Sequence, residues 1–150
     1  MSRLALDWDL RRCGIVGCMA PDSVHISEWV ARPVDEVYSF ASNPANLPTW
    51  APGLGTSVEL VNEQWIAESP MGRVVVEFVP PNEFGVLDHH VTLPSGQTVY
   101  NPMRVIADGG GCEMVFTLRR RPGMSDADFA RDADAVSADL ATLKRLLEDR

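Results

Sequence analysis

Residues 125–149 carry one apolar stripe, and that stripe has to lie on something. Phe129, Ala133, Val136, Leu140, Leu143 and Leu147 follow one another at steps of four, three, four, three and four. In an α-helix this spacing puts all six on one face. Ser125 is a good N-cap, and Asp128, three residues on, makes a capping-box-like pair with it. Asp126, Asp128, Asp132 and Asp134 come early and Lys144 and Arg145 late, as the helix dipole prefers. Such a helix is stable only when its apolar face is covered. The chain ahead of it reads mostly as strands, so the expected partner is a sheet.

The first strand is "SVHISEWVA" (23–31), with Val24, Ile26 and Val30 on one face and His25, Ser27 and Trp29 on the other. "RPVDEVYSFASN" then reads as a short helix. Pro33 suits its first position, Asp35 and Glu36 suit its positive end, and Val34, Val37, Tyr38 and Ala41 form its stripe. Pro44 stops it, and "PANLPTWAPGLG" is a second, proline-punctuated helical turn. Six β-rich runs follow, at 56–62, 64–70, 72–81, 84–94, 98–108 and 112–121. Their connections are short and rich in Pro, Gly and Asn, which makes consecutive strands antiparallel neighbours. Pro102 inside the run 98–108 predicts a bulge or an unpaired edge position. The expected fold is α+β: a seven-stranded antiparallel sheet wrapped around a long C-terminal helix, with two short helices after the first strand.

Residues 1–21 lack this regularity and include a second potential start, Met19. They read as a flexible appendage ahead of one domain over 22–150, which is long enough for a full core. The net charge of −8 argues against a nucleic-acid backbone or an anionic membrane as main partner. No apolar run reaches the length of a membrane span, and Asp7, Asp9, Arg11 and Arg12 break any signal-peptide core, so a cytoplasmic location is expected. Cys13, Cys18 and Cys112 do not read as a disulfide framework, and no second ligand pair completes Cys13 and Cys18 as a metal site. The sequence calls for no cofactor and no metal. It contains no phosphate-binding glycine loop and no nucleophile elbow.

One segment resembles a known family. "VHISEWVARPVDEVYSFASNPANLPTW" is similar to the opening of the SRPBCC superfamily, also called START-like or Bet v 1-like, and especially its polyketide cyclase/dehydrase branch. The marks are Val30, Pro33, Glu36, Val37, Tyr38 and Trp50, and the helix from Ser125 fits as well. The resemblance covers roughly 22–149. It implies the helix-grip fold, with a cavity between sheet and last helix. Members bind lipids, sterols, polyketides, hormones or other apolar molecules; some are aromatases or cyclases, and some only bind. No residue set is shared among them, so candidate site residues come from this sequence alone.

Asp88-His89-His90 is the most conspicuous polar cluster, and read as three letters it suggests a metal site, an acid/base dyad or a phosphoesterase motif. A strand has a period of two, which separates these groups. Leu87, His89, Val91 and Leu93 then share the concave face, as do Val74, Val76 and Phe78; Val99, Asn101, Met103 and Val105; and Cys112, Met114, Phe116 and Leu118. Asp88 and His90 point outward with Thr92. His89 is the expected catalytic candidate, since near its ordinary pKa of 6.5 it would transfer protons at neutral pH. The competing reading is a buried neutral imidazole bonded to a neighbour. Tyr38, Trp50, Trp65, Phe78, Met103, Met114, Phe116, Met124 and Phe129 make the expected apolar lining, or else simply fill the core, and Trp50 is expected at the cavity mouth. Asn101 would orient a carbonyl or hydroxyl. Arg104 either turns inward to a carboxylate or pairs with Asp88 or Glu113.

The expected function is binding of a hydrophobic small molecule, with aromatase/cyclase- or dehydrase-type chemistry at His89 and Asn101 as the enzymatic form. The alternatives are a non-catalytic carrier or sensor, and an interaction module using the convex face or Trp29. The expected state is a monomer or weak homodimer. A cavity of at least ~300 Å³ is the structural requirement for either ligand reading.

Overall fold

The structure is a computed structural model that describes residues 22–150; Cys13, Cys18 and the expected appendage lie outside the described residues. Strand β1 (Ser23–Val30) leads into helix α1 (Val34–Ala41), a 3-10 turn (Pro44–Asn46) and helix α2 (Leu47–Trp50). Strands β2 (Ser57–Val61), β3 (Gln64–Ser69), β4 (Gly72–Phe78), β5 (His89–Thr92), β6 (Thr98–Asn101), β7 (Met103–Asp108) and β8 (Gly111–Arg119) follow, and helix α3 (Asp126–Glu148) ends the chain. All strand pairs are antiparallel, in the orders β2-β3-β4-β5-β6 and β1-β8-β7.

Pro102 is where the two groups of strands meet. The expected single strand over 98–108 is divided there into β6 and β7, which gives eight strands where seven were predicted. Proline has no N–H to donate to a ladder, so pairing stops at it and the strand direction changes. The break is bridged rather than open. Thr117 N–H donates to Pro102 O at 3.0 Å, Leu87 N–H to Met103 O at 2.9 Å and Val105 N–H to Gly85 O at 2.9 Å. The curved surface that results is what lets a sheet wrap a helix.

The other difference lies in the run 84–94, where only His89–Thr92 is ladder-paired strand. Asn82 explains the shortening. Its side-chain oxygen accepts from Phe84 N–H at 3.0 Å and Val86 N–H at 3.1 Å, and its amide donates to Val86 O at 2.9 Å. This local network shapes 82–86, where strand pairing is reduced to the single bridge between Val86 and Arg104. Gly85 completes it at φ +69, in the left-handed region that glycine tolerates.

Helix α1 begins one residue after its expected start, with Pro33 as the N-cap at ψ 144. Helix α3 starts as the sequence indicates. Ser125 Oγ accepts from Asp128 N–H at 3.1 Å and bonds the Asp128 carboxylate at 2.7 Å. Its apolar stripe divides into two parts. Leu140, Leu143 and Leu147 are buried in the core with Val30, Val37, Leu47, Cys112 and Met114, whereas Phe129, Ala133 and Val136 are only partly covered. The C-terminal half is also tied to the sheet by Lys144 to Glu28 at 3.1 Å and by Ala31 N–H to Glu148 at 2.8 Å. Beside the N-terminal half there is a cavity.

Candidate functional site

The cavity has a volume of about 580 Å³, well above what the ligand readings require. Five elements wall it. Strand β5 with Leu93 just after it contributes His89, Val91 and Leu93, and β6 contributes Val99 and Asn101; β8 contributes Phe116 and Leu118; α3 contributes Ala135, Val136 and Leu140; and α2 with the loop after it contributes Trp50, Ala51 and Leu54. The period of two makes this wall: His89 pairs with Asn101 and Val91 with Val99, so these residues face the same side of the sheet. Most of the lining surface is apolar, and His89, Asn101, Arg119, Arg120, Arg121 and Asp139 are among its polar members.

His89 is 1% exposed. Its ring is stacked on Phe78 at 4.8 Å between centroids and tilted against Phe116 at 6.2 Å. Nδ1 lies 3.0 Å from Leu87 O. A carbonyl only accepts, so Nδ1 carries the proton, and in the neutral ring Nε2 presents a lone pair. Nε2 is buried and has no partner in the protein. Burial lowers the pKa to about 4; the Leu87 hydrogen bond opposes this, and the charge of His90 adds to it. The expectation of a group titrating near 6.5 is thereby corrected: desolvation keeps the imidazole neutral at physiological pH. It is a hydrogen-bond acceptor, with too little basicity to store a proton there.

Trp50 is the last residue of α2 and 4% exposed. It forms part of the inner wall, not the mouth where the sequence placed it. Its indole Nε1–H is buried and without a partner. Trp50 and His89 thus each carry a buried polar atom without a protein partner, a donor on Trp50 and an acceptor on His89. Such groups cost free energy until something bonds to them. Asn101 joins them from β6.

Asp139 was missed by the sequence reading. It lines the cavity from α3, and burial alone raises its pKa to about 6. The signal was present: Asp132, Ala135, Val136, Asp139 and Leu140 fall at i, i+3, i+4, i+7 and i+8, on one helical face. Following only apolar residues along that helix passed over it. The rim was missed too. Arg121 reaches Asp132 at 3.7 Å, and Arg120 pairs with Asp126 at 2.6 Å while its guanidinium sits 4.8 Å over the Phe129 ring. These contacts tie the start of α3 to the end of β8.

Only Trp50, His89, Asn101 and Phe116 of the predicted site residues line this cavity. Tyr38, Trp65 and Phe78 line a second one of about 420 Å³, between α1, β3, β4 and the segment 79–87. Met103 and Met114 are 1% and 0% exposed within the solid core, because β7 and the centre of β8 lie under packed side chains rather than open space. Met124 and Phe129 line neither cavity; Phe129 is covered by Arg120, and the Met124 carbonyl accepts from Arg120 at 3.3 Å.

Asp88 faces away from His89, as the period requires, yet it is 4% exposed and not solvated. Its carboxylate accepts from Tyr100 Oη–H, Arg104 and Met103 N–H, the last at 3.0 Å. It therefore pins the two strands on either side of Pro102 together from the outer face. Arg104 belongs to this pair and does not enter the cavity. His90 is exposed and stacked on Tyr100. His25 bonds Thr117 at 3.0 Å on the outer face of β1. Among the described residues, no three His, Cys, Asp or Glu side chains converge as a metal site would need. Among the described residues, no helix is long and apolar enough to cross a membrane.

With this geometry in hand, comparisons with known proteins are specific about fold. DynU16, a protein of the dynemicin biosynthetic locus, superposes with a TM-score of 0.65 at 17% identity, over 85% of this chain and 47% of that one. Ara h 8.0201 gives 0.64 at 12% identity, over 86% and 99%. A START superfamily protein from Mycobacterium smegmatis gives 0.63 at 13% identity, over 85% and 97%. No curated protein sequence matches the chain. The family model described as "Polyketide cyclase / dehydrase and lipid transport" matches residues 22–148. The chain therefore belongs to the polyketide cyclase/dehydrase and lipid transport family, on a helix-grip fold of the START and Bet v 1 kind.

Proposed function

We propose that this protein binds a predominantly apolar small molecule, carrying at least one hydroxyl and one carbonyl or ether oxygen, in the cavity between β5, β6, β8 and α3. The observation that carries the reading is the pairing of an apolar cavity of about 580 Å³ with two buried, unpartnered polar atoms on its lining residues, Trp50 Nε1 and His89 Nε2. A ligand hydroxyl would donate to His89, and a ligand oxygen would accept from Trp50. Burying the apolar remainder supplies most of the affinity.

The neutral state of His89 favours a binding protein over an acid/base catalyst. A proton donor near neutral pH would have to come from elsewhere, and Asp139, with its pKa near 6, is the lining group suited to that. Cyclase or dehydrase chemistry accordingly takes second place, and would use Asp139 as acid with His89 as hydrogen-bonding partner.

Native mass spectrometry of the protein purified from its own host tests the binding reading. The expected result is a retained mass of small-molecule size, held less tightly by Val136→Trp, whose indole intrudes on the cavity. Equal retention by the wild type and the Val136→Trp variant would refute the assignment of the site. Comparing turnover of a candidate polyketide by wild type, Asp139→Asn and His89→Ala then separates carrier from catalyst.

A further inference from the structure

Lining residues of the two cavities come together on one pair of strands. Strands β4 and β5 are paired so that Val76 lies opposite Val91 and Phe78 opposite His89. Val76 and Phe78 line the second cavity, while Val91 and His89 line the first. What separates them at the Phe78–His89 step is a stack of two rings, 4.8 Å between centroids and 28° between planes.

The two rings are not equally fixed. His89 is fully buried and tethered through Nδ1 to Leu87 O. Phe78 is half-buried, is the last residue of β4, and is followed by Val79, Pro80 and Pro81. A phenyl ring makes no hydrogen bond that would tether it, and open space lies beside it in the second cavity. Turning its side chain away would uncover the face of His89 and join about 580 Å³ to about 420 Å³. The second cavity has Tyr38 and Trp65 in its walls, with Ser42, Glu63 and Gln64 among its polar members.

We propose that the two cavities are compartments of one binding site for an elongated, chain-like apolar ligand, and that the Phe78 side chain is the door between them. This rests on the binding reading above and extends it to a ligand class: molecules too long for the first cavity alone, whose chain passes His89 and ends near Trp65. A compact ligand leaves the Phe78–His89 stack closed. A long one replaces that stack with its own hydrocarbon chain.

Saturated fatty acids provide the probes. Octanoate is the short probe and stearate the long one. A stearate with a photoreactive diazirine at its chain end is cross-linked to the full-length protein and the labelled peptides are mapped. The expected label lies on peptides carrying Trp65 or residues 78–87. Phe78→Trp enlarges the door and should weaken stearate by about tenfold or more, because excluding as few as two methylenes from burial has that effect. The same variant should weaken octanoate far less than stearate. Phe78→Leu should bind both acids at least as tightly as the wild type. Label confined to peptides of the first cavity would overturn the proposal, as would equal weakening of both acids by Phe78→Trp. If Phe78→Trp does not fold, the label on the wild type still decides. Octanoate binding with stearate excluded refutes the joined site alone; failure to bind either acid refutes the apolar-ligand reading with it.

Discussion

Among the groups through which acid should weaken this fold, His89 is the most deeply buried. In the unfolded chain its imidazole takes a proton at its ordinary pKa of 6.5, whereas in the fold burial holds it neutral down to about 4. The folded pKa is depressed, so the associated stability is fully present above 6.5 and is lost as pH falls towards 4. The gap corresponds to about 3 kcal/mol. Asp139 works in the opposite sense: its folded pKa is raised to about 6, so protonation favours the fold as pH falls below that value. The wild-type pH profile therefore mixes the two effects. A difference against His89→Gln removes Asp139, which is common to both proteins. Urea unfolding of wild type and His89→Gln near neutral pH and near pH 4 gives the required free energies. The advantage of wild type over the variant should shrink by most of about 3 kcal/mol between the two conditions. A constant difference, within about 0.5 kcal/mol, would show that His89 is solvated or charged in the fold, and the acceptor role assigned to its Nε2 would fail with it.

Other perturbations follow from single contacts. At Gly85, φ is +69 and an added Cβ would clash with the Val105 carbonyl oxygen. Gly85→Ala should therefore cost about 2 kcal/mol or more, read by chemical denaturation, and a cost near zero would contradict the described path of 82–86. Asp88→Ala strips the buried Met103 N–H of its acceptor while Arg104 can hydrate, so a loss of about 2 kcal/mol is expected in the same assay. Ser125→Ala removes the α3 N-cap and should cost about 1 kcal/mol, with amide exchange rising first at Asp128.

The parts of this structure that sequence revealed are those set by local periodicity. The stripe ending in Leu140, Leu143 and Leu147, the Ser125 cap and the alternation that separates His89 from Asp88 all follow from rules that need only near neighbours. The inward direction of His89 and Asn101 was legible for the same reason. Where side chains meet others far along the chain, the sequence was silent. Met103 and Met114 share the concave face with His89, yet only the fold decides that packing covers them while open space lies beside His89. Asp88 has an outward register, but its burial depends on Tyr100 and Arg104 closing over it. The division of the lining into two cavities turns on the contact of Phe78 with His89, between residues eleven apart in sequence and opposite in register. The pKa of His89 is likewise a property of its surroundings, which the residue type does not carry.

The central claim is that the space beside the N-terminal half of α3 is a binding site for apolar molecules. Methyl-resolved NMR during titration with anilinonaphthalene sulfonate tests it most directly. The account predicts saturable shifts at Val91, Leu93, Val99, Leu118, Val136 and Leu140, which line the cavity. It predicts little change at the exposed Leu60 and Ile106. Shifts restricted to such surface methyls, with the cavity methyls unmoved at saturation, would contradict it.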